Sequence, residues 1–165
     1  MIKRNILITL IMLAVALPAG ALKVKELPVG EGYAATSVNT AVFRGSALVS
    51  DAKHQYISYY DADGNVVVGR RKHGSSKWTL ATTQYRGNVA DGHNVISLGI
   101  DGDGYLHLAF DHHGHPLHYA RSLAPGSLEF GPLMAMTGVD EQDVTYPDFH
   151  TLPSGDLLFA YRSGA

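Results

Sequence analysis

The feature that most limits what this chain can fold into is an internal repeat of about 50 residues. The segment Gln55–Gly64 aligns without a gap on Tyr105–Gly114, at an offset of 50 residues. A third copy begins at Gly155–Tyr161, which aligns on Gly104–Phe110 at an offset of 51 residues. Periods of roughly 20–50 residues are typical of architectures in which similar units pack on one another. The chain is therefore expected to be a series of similar structural units.

Within each unit, apolar and polar residues alternate with the period of two that is typical of β-strands. Val95–Ile100 predicts a strand, Asp101–Gly104 a tight turn, and Tyr105–Phe110 a returning strand. Leu117–Arg121 predicts a third strand, and Phe130–Met136 predicts a weaker fourth strand. Four antiparallel strands in a unit of this length form the blade of a β-propeller. We therefore predict an all-β propeller with four-stranded antiparallel blades.

The number of units is small for a closed propeller. The chain holds two complete units and the opening hairpin of a third, roughly two and a half blades, whereas closure needs about four to eight. We expect residues 22–165 to be the N-terminal part of a truncated propeller domain. Because an unpaired edge strand would be left exposed, we expect this fragment alone to be inactive.

The first 21 residues have the pattern of a secretory signal peptide. Lys3 and Arg4 provide the positive start, Ile6–Leu17 the apolar stretch, and Pro18–Ala21 a small-residue cleavage site. A membrane anchor is the alternative, but the apolar stretch is shorter than the ~20 residues that span a bilayer. The pattern predicts a secreted or periplasmic protein that is free of the membrane after cleavage. The net charge of -2 offers no basis for binding nucleic acid.

Four polar residues are predicted to meet at one edge of two adjacent blades. His93 precedes the first strand of the second unit, and His113 follows its second strand. Tyr146 begins the first strand of the third unit, and Arg162 ends its second strand. In an antiparallel sheet the start of one strand lies beside the end of the next, so these side chains should converge near the propeller axis. Together they suit an anionic sugar, because arginine binds carboxylates and histidine and tyrosine exchange protons.

The nine histidines of the chain allow two other interpretations. Histidines at loop ends can simply hold turns through hydrogen bonds. They can also bind zinc, for which three protein ligands and a water suffice. However, His112 and His113 are adjacent and should point in opposite directions in an extended chain. No metal or other cofactor is therefore predicted, although a metal remains possible.

Four segments of the chain resemble the BNR-repeat family. These segments are Gly32–Thr40, Asp91–Asn94, Gly99–His107 and Phe159–Gly164. The family includes seven-bladed ulvan lyases and a related rhamnosidase. The resemblance implies a propeller of about seven blades in the full protein.

For the ulvan lyases, the resemblance implies β-elimination at a uronic acid. It assigns general acid–base catalysis to the pair His93 and Tyr146. It assigns substrate binding to Arg162, helped by His113, because the uronate carboxylate must be neutralised before the C5 proton can leave. The predicted partner is an anionic polysaccharide or oligosaccharide such as ulvan.

Two other functions remain open for the same fold, because propellers host many activities. One is a glycoside hydrolase of the rhamnosidase kind, which would use two opposed carboxyl groups. No convincing pair of this kind is found in the sequence. The other is a carbohydrate-binding propeller without catalytic activity.

Overall fold

The computed structural model describes residues 24–36 and 47–164, and the predicted signal peptide lies outside these ranges. The described part of the chain contains strands and no helix. Its strands are β1 (Leu48–Ser50), β2 (His54–Tyr60), β3 (Asn65–Lys72), β4 (Thr79–Arg86), β5 (Ile96–Ile100), β6 (Leu106–Phe110), β7 (His113–His115), β8 (Tyr119–Arg121), β9 (Val144–Thr151) and β10 (Leu157–Ser163). Within these ranges, no helix long and apolar enough to cross a membrane is found.

The strands form three antiparallel sheets that follow the predicted repeat. The first sheet has the order β1-β2-β3-β4, the second β5-β6-β8, and the third β10-β9-β7. The predicted all-β architecture is therefore confirmed, and the first sheet is a four-stranded blade. The first strands of successive sheets are neighbours, since β1 contacts β5 and β5 contacts β9.

Turns closed by an aspartate between the first and second strands of a unit help to explain why the repeat is visible in the sequence. The Asp101 carboxylate accepts hydrogen bonds from the backbone N–H of Asp103 at 3.0 Å and of Tyr105 at 2.9 Å. Asp51, which aligns on Asp101 at the offset of 50 residues, holds the equivalent turn between β1 and β2 through bonds from the backbone N–H groups of Lys53 and His54, both 2.6 Å long. An aspartate that holds its own turn favours the hairpin locally, so this turn chemistry recurs in the first two blades.

The outer part of the second blade differs from the prediction. Phe130–Met136 does not form a strand, although Phe130 makes an isolated bridge with Ser122 and the N–H groups of Gly131 and Met134 donate to the carbonyls of Arg121 and Tyr119. Pro132, two residues after Phe130, has no N–H with which to continue a ladder. The third strand is also shorter than expected, because β8 covers only the last residues of Leu117–Arg121.

Apolar packing between successive sheets makes the core. The first and second sheets share one cluster of buried residues, and the second and third share a smaller one. The larger cluster comprises Tyr56, Tyr60, Val66, Val68, Tyr85, Ile96, Leu98, Ile100, Leu106, Leu108, Phe110, Ala120 and Phe130. The smaller cluster comprises Ala109, Tyr119 and Phe149. Face-to-face packing of this kind holds neighbouring blades at a fixed separation.

Strand β5 is buried on both faces, and its second face carries small residues. The Ser97 hydroxyl accepts a hydrogen bond from the Phe149 N–H at 3.2 Å. A Cβ placed on Gly99 would lie 2.9 Å from the Phe149 side chain and 2.9 Å from Leu157. The third sheet can therefore approach the second only because position 99 has no side chain.

Gly99→Ala is expected to lower the free energy of unfolding by about 1–3 kcal/mol, because the added methyl overpacks the contact with Phe149. Urea unfolding of the full-length protein measures this change. Gly131→Ala is the matched control, since a Cβ there would meet its nearest neighbour at an ordinary 3.5 Å. Equal stability of the two variants would contradict the proposed close contact.

Candidate functional site

Strand register places the ends of four strands at one edge of the second and third sheets. Ile96, the first residue of β5, pairs with Phe110, the last residue of β6. Val144 at the start of β9 likewise pairs with Ser163 at the end of β10. Because β5 contacts β9, both pairs of strand ends lie on the same side of the two sheets. The turns Asp101–Gly104 and Leu152–Asp156 occupy the opposite ends of these two hairpins.

All four predicted site residues lie together at this edge. The His93 and His113 rings are 4.2 Å apart between centroids. The Tyr146 ring is 5.9 Å from His93, and the Arg162 guanidinium carbon is 5.2 Å from the centre of the Tyr146 ring. The structure therefore brings the four side chains into one continuous cluster, while their catalytic and binding roles stay predictions.

A β-bulge determines where the Tyr146 side chain points. The register of β9 and β10 shifts between Ala160 and Arg162, which pair with Asp148 and Thr145. Tyr146 lies in the bulge with a φ of 53°, a left-handed conformation that costs a tyrosine about 1–3 kcal/mol. Pro147 follows it and would donate no ladder bond in any case. Bulges commonly redirect a side chain next to a functional site.

A network of polar side chains anchors the loop that carries His93. Asp111 accepts hydrogen bonds from the Asn88 N–H at 2.7 Å and from the Asn94 side-chain amide at 2.6 Å. The buried Asn94 amide also donates to the Asn88 carbonyl at 3.2 Å. The two ends of the loop are therefore tied to one carboxylate, which restricts the position of His93 between them.

His113 is held by the third blade rather than by its own. It pairs with Thr145 as part of β7, and the Thr145 hydroxyl accepts a bond from the Gly114 N–H at 2.8 Å. This segment lies between the predicted strands Tyr105–Phe110 and Leu117–Arg121, and the structure shows it as a short strand that covers one edge of β9. His112 points the other way, as predicted, and is buried. Its burial lowers the pKa of the imidazole to about 3, so His112 is a neutral structural residue.

Asp91 is part of the site, although no catalytic or binding role was predicted for it from the sequence. One carboxylate oxygen accepts bonds from the backbone N–H of His93 at 2.9 Å and lies 3.1 Å from its Nδ1. The other oxygen lies 2.8 Å from Nδ1 of His113. Partial burial acts to raise the pKa of Asp91, but the hydrogen bonds from both histidines outweigh it and lower the pKa to about 2. The carboxylate is therefore ionised at neutral pH.

The same three residues have the spacing of metal ligands. Ligand atoms of Asp91, His93 and His113 all lie within 4.8 Å of one another. Two imidazoles and one carboxylate suit a transition metal such as zinc. The sequence predicted no metal at this place, and the structure shows that these three side chains could hold one.

A surface pocket of about 340 Å³ adjoins the cluster on the third sheet. Its walls are Tyr146, Asp148, His150, Ala160, Tyr161 and Arg162. The Asp148 carboxylate lies 3.3 Å from Nε2 of His150, so a polar pair lines part of the pocket. The pocket gives an extended ligand room beside Tyr146 and Arg162.

The described part of the chain is similar to known proteins in sequence pattern and in fold. The profile of the BNR repeat-containing family matches residues 54–165, about two thirds of the chain. No curated protein matches significantly.

Among solved structures, the polysaccharide lyase Uly1 is 19% identical with a TM-score of 0.66, over 90% of this chain and 40% of that one. A PL25 ulvan lyase is 19% identical with a TM-score of 0.59, over 83% of this chain and 34% of its own. The same kind of enzyme bound to -[GlcA(1-4)Rha3S]- is 18% identical with a TM-score of 0.59, over the same shares. The chain thus spans at most 40% of these structures, and the likeness shows the propeller fold.

Proposed function

This chain belongs to the BNR repeat-containing family, and we propose that it is part of a polysaccharide lyase that cleaves a uronate-containing glycan by β-elimination. The observation that carries the proposal is the cluster of His93, His113, Tyr146 and Arg162 at one edge of two blades. A base, an acid and a cationic carboxylate binder are the three groups that this reaction needs. The fold of the solved lyases supports the same proposal.

In the proposed reaction, Nε2 of His93 removes the proton from C5 of the uronate. The electron pair of that C–H bond forms the C4–C5 double bond, and the bond from C4 to the glycosidic oxygen breaks. The Tyr146 hydroxyl donates its proton to the departing oxygen. The two rings lie 5.9 Å apart, which is close enough for one bound sugar to contact both groups. General acid and base groups of this kind typically contribute about 10²–10⁴-fold to the rate.

Arg162, assisted by His113, is proposed to bind the uronate carboxylate. Its guanidinium packs over the Tyr146 ring and is exposed, so it can offer donors to an anion in the adjoining pocket. Neutralising the carboxylate stabilises the negative charge that develops when the C5 proton leaves. A bidentate pair with arginine also orients the sugar.

A lyase fits the cluster better than a hydrolase does. A glycoside hydrolase needs a protonated carboxyl group to act as the acid. Asp91, the carboxyl group within the cluster, has a pKa of about 2 and is held by two histidines. It is therefore poorly suited to donate a proton at neutral pH.

We further propose that the protein is exported to the periplasm or the medium, where such polysaccharides are met. The signal-peptide pattern of residues 1–21 supports this. N-terminal sequencing of the exported protein is expected to start at Leu22. A mature protein that retains Lys3 and Arg4 would contradict cleavage and favour the membrane anchor.

His93→Ala and Tyr146→Phe should each reduce turnover of uronate-rich polysaccharides by at least about 100-fold in the full-length protein. The ultraviolet absorbance of the unsaturated uronate product measures the rate. His73→Ala and Tyr105→Phe are matched controls outside the cluster, and circular dichroism checks that all four variants fold. Wild-type turnover in both site variants would contradict the roles of His93 as base and Tyr146 as acid. Release of saturated sugars would indicate a hydrolase.

Arg162→Ala should weaken binding of a uronate oligosaccharide by about 10- to 100-fold, the effect of losing hydrogen bonds to a charged group. Binding is measured by calorimetry in the Tyr146→Phe background, which prevents cleavage. Arg121→Ala is the control, because the Arg121 guanidinium packs over the Tyr105 ring at 4.6 Å in a similar way. An equal loss of affinity for the carboxyl-reduced oligosaccharide would count against a carboxylate role for Arg162.

A further inference from the structure

One carboxylate contacts the rings of both histidines in the cluster. Asp91 lies 3.1 Å from Nδ1 of His93 and 2.8 Å from Nδ1 of His113, with a different oxygen facing each ring. An ionised carboxylate can only accept hydrogen bonds, so each Nδ1 facing it must carry a proton. In a neutral imidazole the other nitrogen, Nε2, then has the lone pair. The arrangement therefore selects one tautomer for two histidines at once.

We propose that Asp91 is a positioning residue that holds His93 and His113 with Nδ1–H toward its carboxylate and Nε2 toward the substrate. This inference rests on the proposed lyase function, in which Nε2 of His93 is the base. Within the described residues, Nε2 of His93 meets no hydrogen-bond partner, so its lone pair is available. A carboxylate behind an imidazole also raises the basicity of the far nitrogen.

Hydrogen bonds hold Asp91 in the position from which it can orient the two histidine rings. Its own side chain caps the N–H of His93 at 2.9 Å, and its backbone N–H donates to the Asn88 carbonyl at 3.3 Å. Its carbonyl accepts the Asn94 N–H at 3.2 Å, and Asn94 is buried against Asp111. The side chain of Asp91 is 24% exposed, against 44% for His93. The carboxylate therefore lies behind the rings, and the rings face the solvent from which substrate arrives.

The polar groups around Asp91, His93 and His113 are consistent with Asp91 as the acid that orients the two rings. The Arg162 guanidinium packs over the Tyr146 ring, 5.2 Å from its centre, and the Tyr146 ring lies 5.9 Å from His93. His115 accepts the N–H of His113 through its Nδ1 at 3.1 Å and so helps to fix the β7 backbone. Asp111 is occupied by Asn88 and Asn94. Among these neighbours, Asp91 is the acid that contacts the rings.

Asp91→Asn tests the proposal with little change in shape. The amide oxygen can still accept the His93 N–H and keep the loop turn, but the amide nitrogen must now donate to the ring that faces it. That ring has to offer a lone pair at Nδ1, which moves its proton to Nε2. We expect ¹⁵N-histidine NMR of the full-length protein to show Nδ1–H forms of His93 and His113 in the wild type, and loss of at least one of them in Asp91→Asn.

The same variant should lower kcat by about 10- to 100-fold, the usual effect of removing the partner of a functional imidazole, with KM nearly unchanged. Asp91→Glu keeps an acceptor-only side chain and should recover the Nδ1–H forms and part of kcat. Asp103→Asn makes the same charge change in the Asp-Gly turn at the opposite end of the blade and should match the wild type in both measurements.

The outcomes separate this inference from the proposed function. Wild-type tautomers or wild-type kcat in Asp91→Asn would overturn the positioning role, as would Nε2–H forms in the wild type. A protein with the expected tautomers but without lyase activity would leave Asp91 as the holder of the two rings and remove the proposed reaction. Loss of kcat that Asp91→Glu does not recover, together with unchanged tautomers, would show a merely structural role.

Discussion

Close packing between successive sheets is the constraint on which the rest of this structure depends. The second sheet is covered on one face by a large apolar cluster and on the other by Phe149 and its neighbours. The absence of a side chain at Gly99 lets the third sheet approach. Because both sheets begin and end their hairpins at the same edges, this approach also sets the distance between two groups of polar strand ends. The site is thus a direct consequence of how the blades pack.

The stable blades allow local irregularity at the site. Tyr146 takes a left-handed conformation in a bulge, Asp111 has a φ of 63° at the end of β6, and β7 belongs to the neighbouring sheet. Each departure from regular structure costs free energy, which the surrounding core must offset. All three lie at the edge that carries the histidines, whereas the opposite edge of the second sheet has the tight turn Asp101–Gly104. Such an uneven distribution is typical of a scaffold with one functional end.

Prediction from the sequence succeeded where interactions between residues close together in the chain determine the structure. The hairpin around Asp101 was predicted because the aspartate that holds its turn is close in sequence to the N–H groups it binds. The edge shared by His93, His113, Tyr146 and Arg162 followed from the period of the strands and from resemblance to a family. The prediction of an outer strand over Phe130–Met136 was wrong. The alternation of apolar and polar residues in this segment gave no information about the strand with which it would have to pair.

Asp91 shows a second reason why the sequence alone could not predict the whole site. Its position two residues before His93 is visible in the sequence, but its bond to His113 joins residues 22 positions apart. Only the loop anchored by Asn94 and the strand β7 bring that pair together. Sequence pattern alone offers many aspartates beside glycines, and most of them hold turns.

The sequence by itself determined the repeat, the strands, the turns and the residue types available at one edge, because these depend on interactions over a few positions. The tertiary structure decided which of those residues touch, which nitrogen of each histidine faces the carboxylate, and how the bulge directs Tyr146. These depend on contacts between blades, where distances of a few ångströms arise from packing between segments far apart in the chain.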